Sequence, residues 1–121
     1  MTVALWVGVA ILGGLGSLLR FGVAEVVAAR ATGRFPSGTL AVNLPGSFAL
    51  GVLVGAGVGG DALLLAGTAT LGSFTTFSAW MVDTDLLGED GETGLALANV
   101  VVSLVCGVAL IALGRVIGGA F

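Results

Sequence analysis

The spacing of the charged residues narrows what this chain can fold into more than any other feature. Eleven of the 121 residues are charged: Arg20, Glu25, Arg30, Arg34, Asp61, Asp83, Asp85, Glu89, Asp90, Glu92 and Arg115. Between them lie four uncharged runs, residues 1–19, 35–60, 62–82 and 93–114, which are 19, 26, 21 and 22 residues long. A helix rises about 1.5 Å per residue and a bilayer core is about 30 Å thick, so about 20 apolar residues cross it. The runs therefore predict an all-α membrane protein with four transmembrane helices, at about 3–26, 38–58, 62–82 and 94–116, in one domain. Composition agrees. The chain is 57% hydrophobic and 9% charged, whereas a soluble domain carries about 25% charge and a disordered one needs low hydrophobicity.

Residue counts exclude several function classes. There is no His and a single Cys, Cys106, so one chain cannot build a His/Cys metal cluster, a Ser-His-Asp triad or a disulfide framework. Lys is absent as well, which removes Schiff-base chemistry and a phosphate-binding P-loop. An enzyme is not expected, because no paired buried carboxylates or His offer acid–base chemistry. Four arginines without a basic cluster, at a net charge of −3, give nucleic acid nothing to bind. The first run lacks a basic n-region and exceeds a usual signal h-region, so it reads as a span.

An even number of spans puts both termini on one side of the membrane. Arg30 and Arg34 lie between spans 1 and 2, and Arg115 alone marks the opposite side. The positive-inside rule then leaves two topologies open, one with the arginine loop inside and one inserted both ways. Residues 59–61 read as a tight turn. Residues 83–93 (DTDLLGEDGET) read as an acidic interfacial loop.

Small and polar residues mark the contact faces. Thr39, Asn43, Ser47, Gly51, Gly55 and Gly59 recur every four residues along span 2 and form one stripe. Its glycine half predicts close helix packing, and its polar half must face protein or water. Pro45 interrupts this helix by removing a donor. Span 4 repeats the pattern with Asn99, Ser103 and Gly107, read as a packing seam with polar glue. Span 3 is different. Its centre, residues 72–78 (GSFTTFS), combines Gly, Ser and Thr where a helix is poorly supported. A midplane break is tolerated only where it is buried in protein or lines a cavity, and it frees carbonyls that can hold a cation. Phe77 and Trp80 follow at helical spacing, with positive ring edges that can face an anion. The hydroxyls of Thr39, Ser47, Thr76, Ser78 and Ser103 and the amide of Asn43 are donors for a dehydrated anion. Arg20 supplies an electropositive vestibule, and no acidic residue falls deep in a span.

Three segments carry a resemblance. Residues 13–21 (GGLGSLLRF), 39–48 (TLAVNLPGSF) and 71–78 (LGSFTTFS) are similar, in order and spacing, to signatures of the bacterial CrcB/Fluc fluoride channel family, over essentially the whole chain. The resemblance implies a passive fluoride channel in the cell membrane, built as an antiparallel dual-topology homodimer with two pores. It exports F⁻ that entered as HF. It also implies a structural Na⁺ held at the dimer centre by backbone carbonyls that map onto Gly72 and Thr75. The implied fluoride path runs past Asn43 and Phe77, along Thr76, Ser78 and Ser103. Several positions depart from the family pattern. Trp80 stands for a second Phe, Ala79 for a hydroxyl residue, Ser73 for a Gly, Asp83 for a Glu and Asn99 for a Tyr. These departures also fit one subunit of a heterodimeric channel. A proton-coupled small multidrug antiporter has the same size, but it needs a carboxylate inside span 1, where Glu25 is the sole candidate. A non-transporting assembly subunit is a third class.

Overall fold

The computed structural model covers residues 1–121 and is entirely helical. Helix α1 is Val3–Arg30, capped by the Thr2 hydroxyl, which accepts the Leu5 N–H at 3.2 Å. Helix α2 is Ser37–Gly55 and runs through Pro45. The third span has two halves. The first, α3, joins the turn Gly60–Ala62, the π-helical Leu63–Leu71 and Gly72–Phe74. The second, α4, is Phe77–Glu89. Helix α5 is Thr93–Gly118. Four stretches, Val3–Arg30, Ser37–Gly55, Gly60–Glu89 and Thr93–Gly118, are long and apolar enough to cross a membrane. Only 11 of the 121 residues are buried, so most of the apolar surface faces outward, as lipid requires of a chain like this.

Glycine sets the packing. A Cβ on Gly51 would fall on the Ile111 carbonyl and one on Gly55 on the Arg115 carbonyl. From the other side, a Cβ on Gly114 would lie 2.9 Å from the Val52 nitrogen, and one on Gly118 2.9 Å from the Ala56 nitrogen. Both helices thus press backbone against backbone, which gives dispersion contact where lipid offers no hydrophobic drive. Residue numbers rise together across this seam, so α2 and α5 run parallel. Helix α1 meets α3 in the same sense, with Gly16 against Ser73 and the Thr70 carbonyl and Gly13 facing the Ala69 carbonyl. The antiparallel link is α1 to α2, where Gly38 sits beneath the Ala24 carbonyl at 2.6 Å from a Cβ position. The glycine half of the span 2 stripe is therefore a contact ridge, except for Gly59, which has open space around it.

Three features differ from the sequence expectation. Residues 83–89 are helical, so the acidic segment is mostly the last two turns of α4, and the connection shrinks to Asp90–Glu92 with Gly91 at φ +79°. The extended break upstream moves the helix end beyond the uncharged run, and the carboxylates at its end reach water without unwinding it. The turn between α2 and α3 falls at residues 56–59 rather than 59–61. Gly57 within it and Gly60 at the start of α3 take positive φ, which only glycine adopts freely, and Asp61 already belongs to α3. Span 1 also extends four residues further, to Arg30. On that side of the membrane Arg34 pairs with Asp90 and, at 3.6 Å, with Glu92. The two connecting loops are thereby joined.

The glycine seam generates a prediction. Gly114→Val and Gly118→Val force α2 and α5 apart, and overpacking of this kind costs about 1–3 kcal/mol. The expected outcome is a lower thermal unfolding midpoint of the purified protein in detergent. Gly88→Ala, where a Cβ meets nothing within 4 Å, holds or slightly raises that midpoint.

Candidate functional site

The third span stops being a helix at two residues. Thr75 (φ −86°, ψ 160°) and Thr76 (φ −149°, ψ 121°) are extended. Thr75 N–H still reaches Leu71 O at 2.9 Å, but the Thr75 carbonyl accepts no hydrogen bond from the protein. A break in an apolar span strands backbone polar groups, each costing about 1–3 kcal/mol if left unpaired. Asn43 relieves two of them. Its Oδ1 accepts the Thr76 N–H at 2.7 Å and its Nδ2 donates to the Thr76 carbonyl at 2.9 Å. The carboxamide thus acts as a neighbouring strand would, and only Asn or Gln offers both functions on one planar group.

Helix α4 then restarts with Thr76 as its cap, the hydroxyl accepting the Ala79 N–H at 3.1 Å. Ser78 Oγ lies 3.3 Å from the same hydroxyl. Phe77 and Ser78 are the first residues of this helix, so their N–H groups have no acceptor within it. One helix thus ends in a free carbonyl where another begins with free N–H groups, so partial negative and partial positive ends meet in mid-span.

This break opens onto a groove of about 530 Å³ formed by α2, α3, α4 and α5. Its polar end holds Asn43, Ser47, Gly72, Thr75, Thr76, Phe77, Trp80 and Ser103. Its other end is apolar, with Leu50, Val54, Leu63, Val108 and Ile111. No charged residue lines it. Phe77 and Trp80 form an edge-to-face pair, with centroids 5.6 Å apart and planes at 86°. Phe77 is 69% exposed.

Eight residues singled out from the sequence as donors, rings or carbonyl ligands therefore meet in one place: Asn43, Ser47, Gly72, Thr75, Thr76, Phe77, Trp80 and Ser103. Others do not line the groove. The Thr39 hydroxyl donates to Asp83 at 2.6 Å, one turn further along α4. This also places a carboxylate, Asp83, inside a helix and against a neighbouring span. Arg20 sits one turn beyond the Gly16 contact on α1 and forms no ion pair. Ser78 is reached only through Thr76. Glu25, the carboxylate an antiporter would need, is exposed on α1 and outside the groove. The indole N–H of Trp80 donates to the Asn99 carbonyl at 3.1 Å. Two features went unread in the sequence. The π-helix Leu63–Leu71, closed by Thr70 Oγ1 to Leu65 O at 2.7 Å and Gly72 N–H to Gly67 O, has no periodicity that announces it. Ser73, which folds back on the Ala69 and Thr70 carbonyls at 2.6 and 3.0 Å, was visible only as a Ser in place of a Gly.

Known proteins share this pattern. The family described as CrcB-like protein, camphor resistance, matches residues 7–115. The chain belongs to the CrcB family. Among CrcB relatives, it is 54% identical over 114 residues to the fluoride-specific ion channel FluC 2 of Mycolicibacterium paratuberculosis, covering 94% of this chain and 93% of that protein. It is 52% identical over 115 residues to the FluC 2 protein of Mycobacterium tuberculosis, covering 95% and 91%. With that of Haloarcula marismortui it shares 51% over 102 residues, covering 84% and 82%. This CrcB chain is a multi-pass membrane protein and not an enzyme. No cluster of three or more His, Cys, Asp or Glu could hold a metal in it. A cation would instead find hard oxygen donors at the break, where Gly72 and Thr75 line the groove and the Thr75 carbonyl is unpaired. These donors suit a weakly held monovalent ion and do not suit zinc.

Asn43→Ala strands both Thr76 backbone groups. The expected outcome is a loss of about 1–3 kcal/mol per group, read as a lowered unfolding midpoint in detergent. Asn43→Asp keeps the acceptor but turns a lone pair toward the Thr76 carbonyl, and it does not restore the midpoint.

Proposed function

We propose that this chain forms a fluoride-selective channel that lets F⁻ leave the cell passively. One observation carries the reading beside the family. The Asn43-held break gathers the N–H groups of a helix start, hydroxyls and two aromatic rings around a groove that contains no carboxylate. Dehydration dominates the cost of moving a small anion, so the path must return hydrogen bonds at close range. Thr76, Ser78 and Ser103 supply hydroxyl donors. The start of α4 supplies the Phe77 and Ser78 N–H groups with the positive end of the helix dipole. Phe77 offers a ring edge, and a bare edge attracts an anion without trapping it.

The groove is open on one side of the single chain and flanked by exposed apolar residues, among them Val101, Leu104 and Val108. A second copy in antiparallel orientation would close it and create a pair of equivalent paths. In that assembly the carbonyls of Gly72 and Thr75 would hold a structural Na⁺, which would supply a fixed positive charge between the subunits. Arg20 and Thr39 would then belong to the approaches rather than to the narrow part of the path.

The deciding experiment is fluoride efflux from liposomes that contain this chain alone, followed with a fluoride electrode and with chloride as control. Rapid fluoride efflux without chloride efflux is expected. A folded protein that releases no fluoride would overturn the homodimeric channel and favour a paired unlike subunit. Phe77→Ile should lower the efflux at least about tenfold, the effect of losing about 1.4 kcal/mol of transition-state stabilisation, without preventing dimer formation in detergent. Gly72→Val should weaken the Na⁺ dependence of dimer stability. A Cβ there meets nothing closer than 3.8 Å, so the change crowds the carbonyls without disturbing the packing.

A further inference from the structure

Helices α4 and α5 are joined by a closed set of hydrogen bonds behind the aromatic pair. The Trp80 indole N–H donates to the Asn99 carbonyl at 3.1 Å. The Asn99 Nδ2 donates to Thr84 Oγ1 at 2.9 Å and lies 3.4 Å from the Trp80 carbonyl. Thr84 Oγ1 donates in turn to that same carbonyl at 2.9 Å. A longer contact, 3.5 Å, runs from Ser103 Oγ to Asn99 Oδ1. Asn99 is 1% exposed, the one buried polar side chain in the protein. Such a group is held in place because any movement leaves its amide unpaired in an apolar interior.

Phe77 has no such restraint. It is 69% exposed, carries no polar atom, and touches Trp80 only through the edge-to-face contact. We propose that Trp80 is the immobile ring of the pair, with its indole N–H kept by the Asn99 carbonyl while ions pass, and that Asn99 and Thr84 are positioning residues that fix it. The ring next to the groove then gives the anion carbon-bound edges but no N–H donor. Phe77 is the ring that moves. The tether follows from this chain's own residues: the indole at position 80 reaches a backbone carbonyl of α5, and the Asn99 amide holds the Trp80 end of α4 against that carbonyl through Thr84. It rests on the channel reading above, because an immobile ring bears on transport only if the groove carries an ion.

The test uses the Trp6→Phe background, which leaves Trp80 as the sole tryptophan. The indole ¹⁵N–¹H resonance is followed in the reconstituted protein during fluoride titration, with chloride as control, alongside efflux from liposomes. A single indole resonance that exchanges slowly with deuterium and does not move with fluoride, together with fluoride efflux, is the expected result. Thr84→Val and Asn99→Leu keep the side-chain volume close to the parent's. Each should speed indole exchange and lower efflux about fivefold, the effect of one lost hydrogen bond. Thr84→Ser keeps the hydroxyl and should restore both readouts. An indole resonance that shifts with fluoride in a conducting protein overturns the proposal, because the N–H would then serve the anion. Unchanged exchange and efflux in both Thr84→Val and Asn99→Leu overturns the positioning role. A protected indole in a protein that conducts no fluoride overturns the channel reading, and the transport role of the ring falls with it.

Discussion

Two hydrogen bonds between the Asn43 carboxamide and the backbone of Thr76 hold the third span in its interrupted form. In a bilayer an extended pair of residues cannot turn to water for its polar groups. Without a planar side chain that both donates and accepts, the cheaper state would be a continuous helix from Gly60 to Glu89. Phe77 and Trp80 would then leave the groove, and the Thr75 carbonyl would bond within the helix. The N-terminal end of α4 would vanish with its free N–H groups. The rest of the site is therefore conditional on one residue of a different helix.

That residue must be placed accurately, and glycine does the placing. Gly46 brings α2 onto Thr75, since a Cβ there would fall on the Thr75 methyl. Gly51 and Gly55 fix the same helix against α5. Side chains at these positions would move Asn43 outward by more than a hydrogen bond tolerates. Gly16 does the equivalent service on the other side, letting α1 support the carbonyls of Thr70 and its neighbours. The abundance of glycine thus serves the break as well as the bundle.

Several polar groups away from the break are paired. Asp83 is engaged by Thr39, and Asp90 and Glu92 are engaged by Arg34. The Trp80 donor is retained by Asn99. No buried side-chain nitrogen or oxygen lacks a partner. At the break the Thr75 carbonyl is left without a protein partner.

Much of this could be read from the residues alone. The four spans followed from the spacing of charges, because length and dehydration set the minimum apolar run. The glycine ridge of span 2 followed from its period of four. The failure of the helix near residues 72–78 followed from crowding Gly, Ser and Thr at mid-span. What the sequence could not show is how polar groups are allotted between spans. Asn43 is a donor by residue type, and its amide closes the break against the Thr76 backbone. The Trp80 N–H is taken by the α5 backbone. The Thr39 hydroxyl is engaged by Asp83. The acidic residues 83–89 looked like a loop, yet they continue α4. Each of these outcomes depends on which helix lies opposite and at what depth. Local pattern fixes the face and the period of a helix, whereas the partner of each hydrogen bond is decided by three-dimensional proximity between segments far apart in the chain.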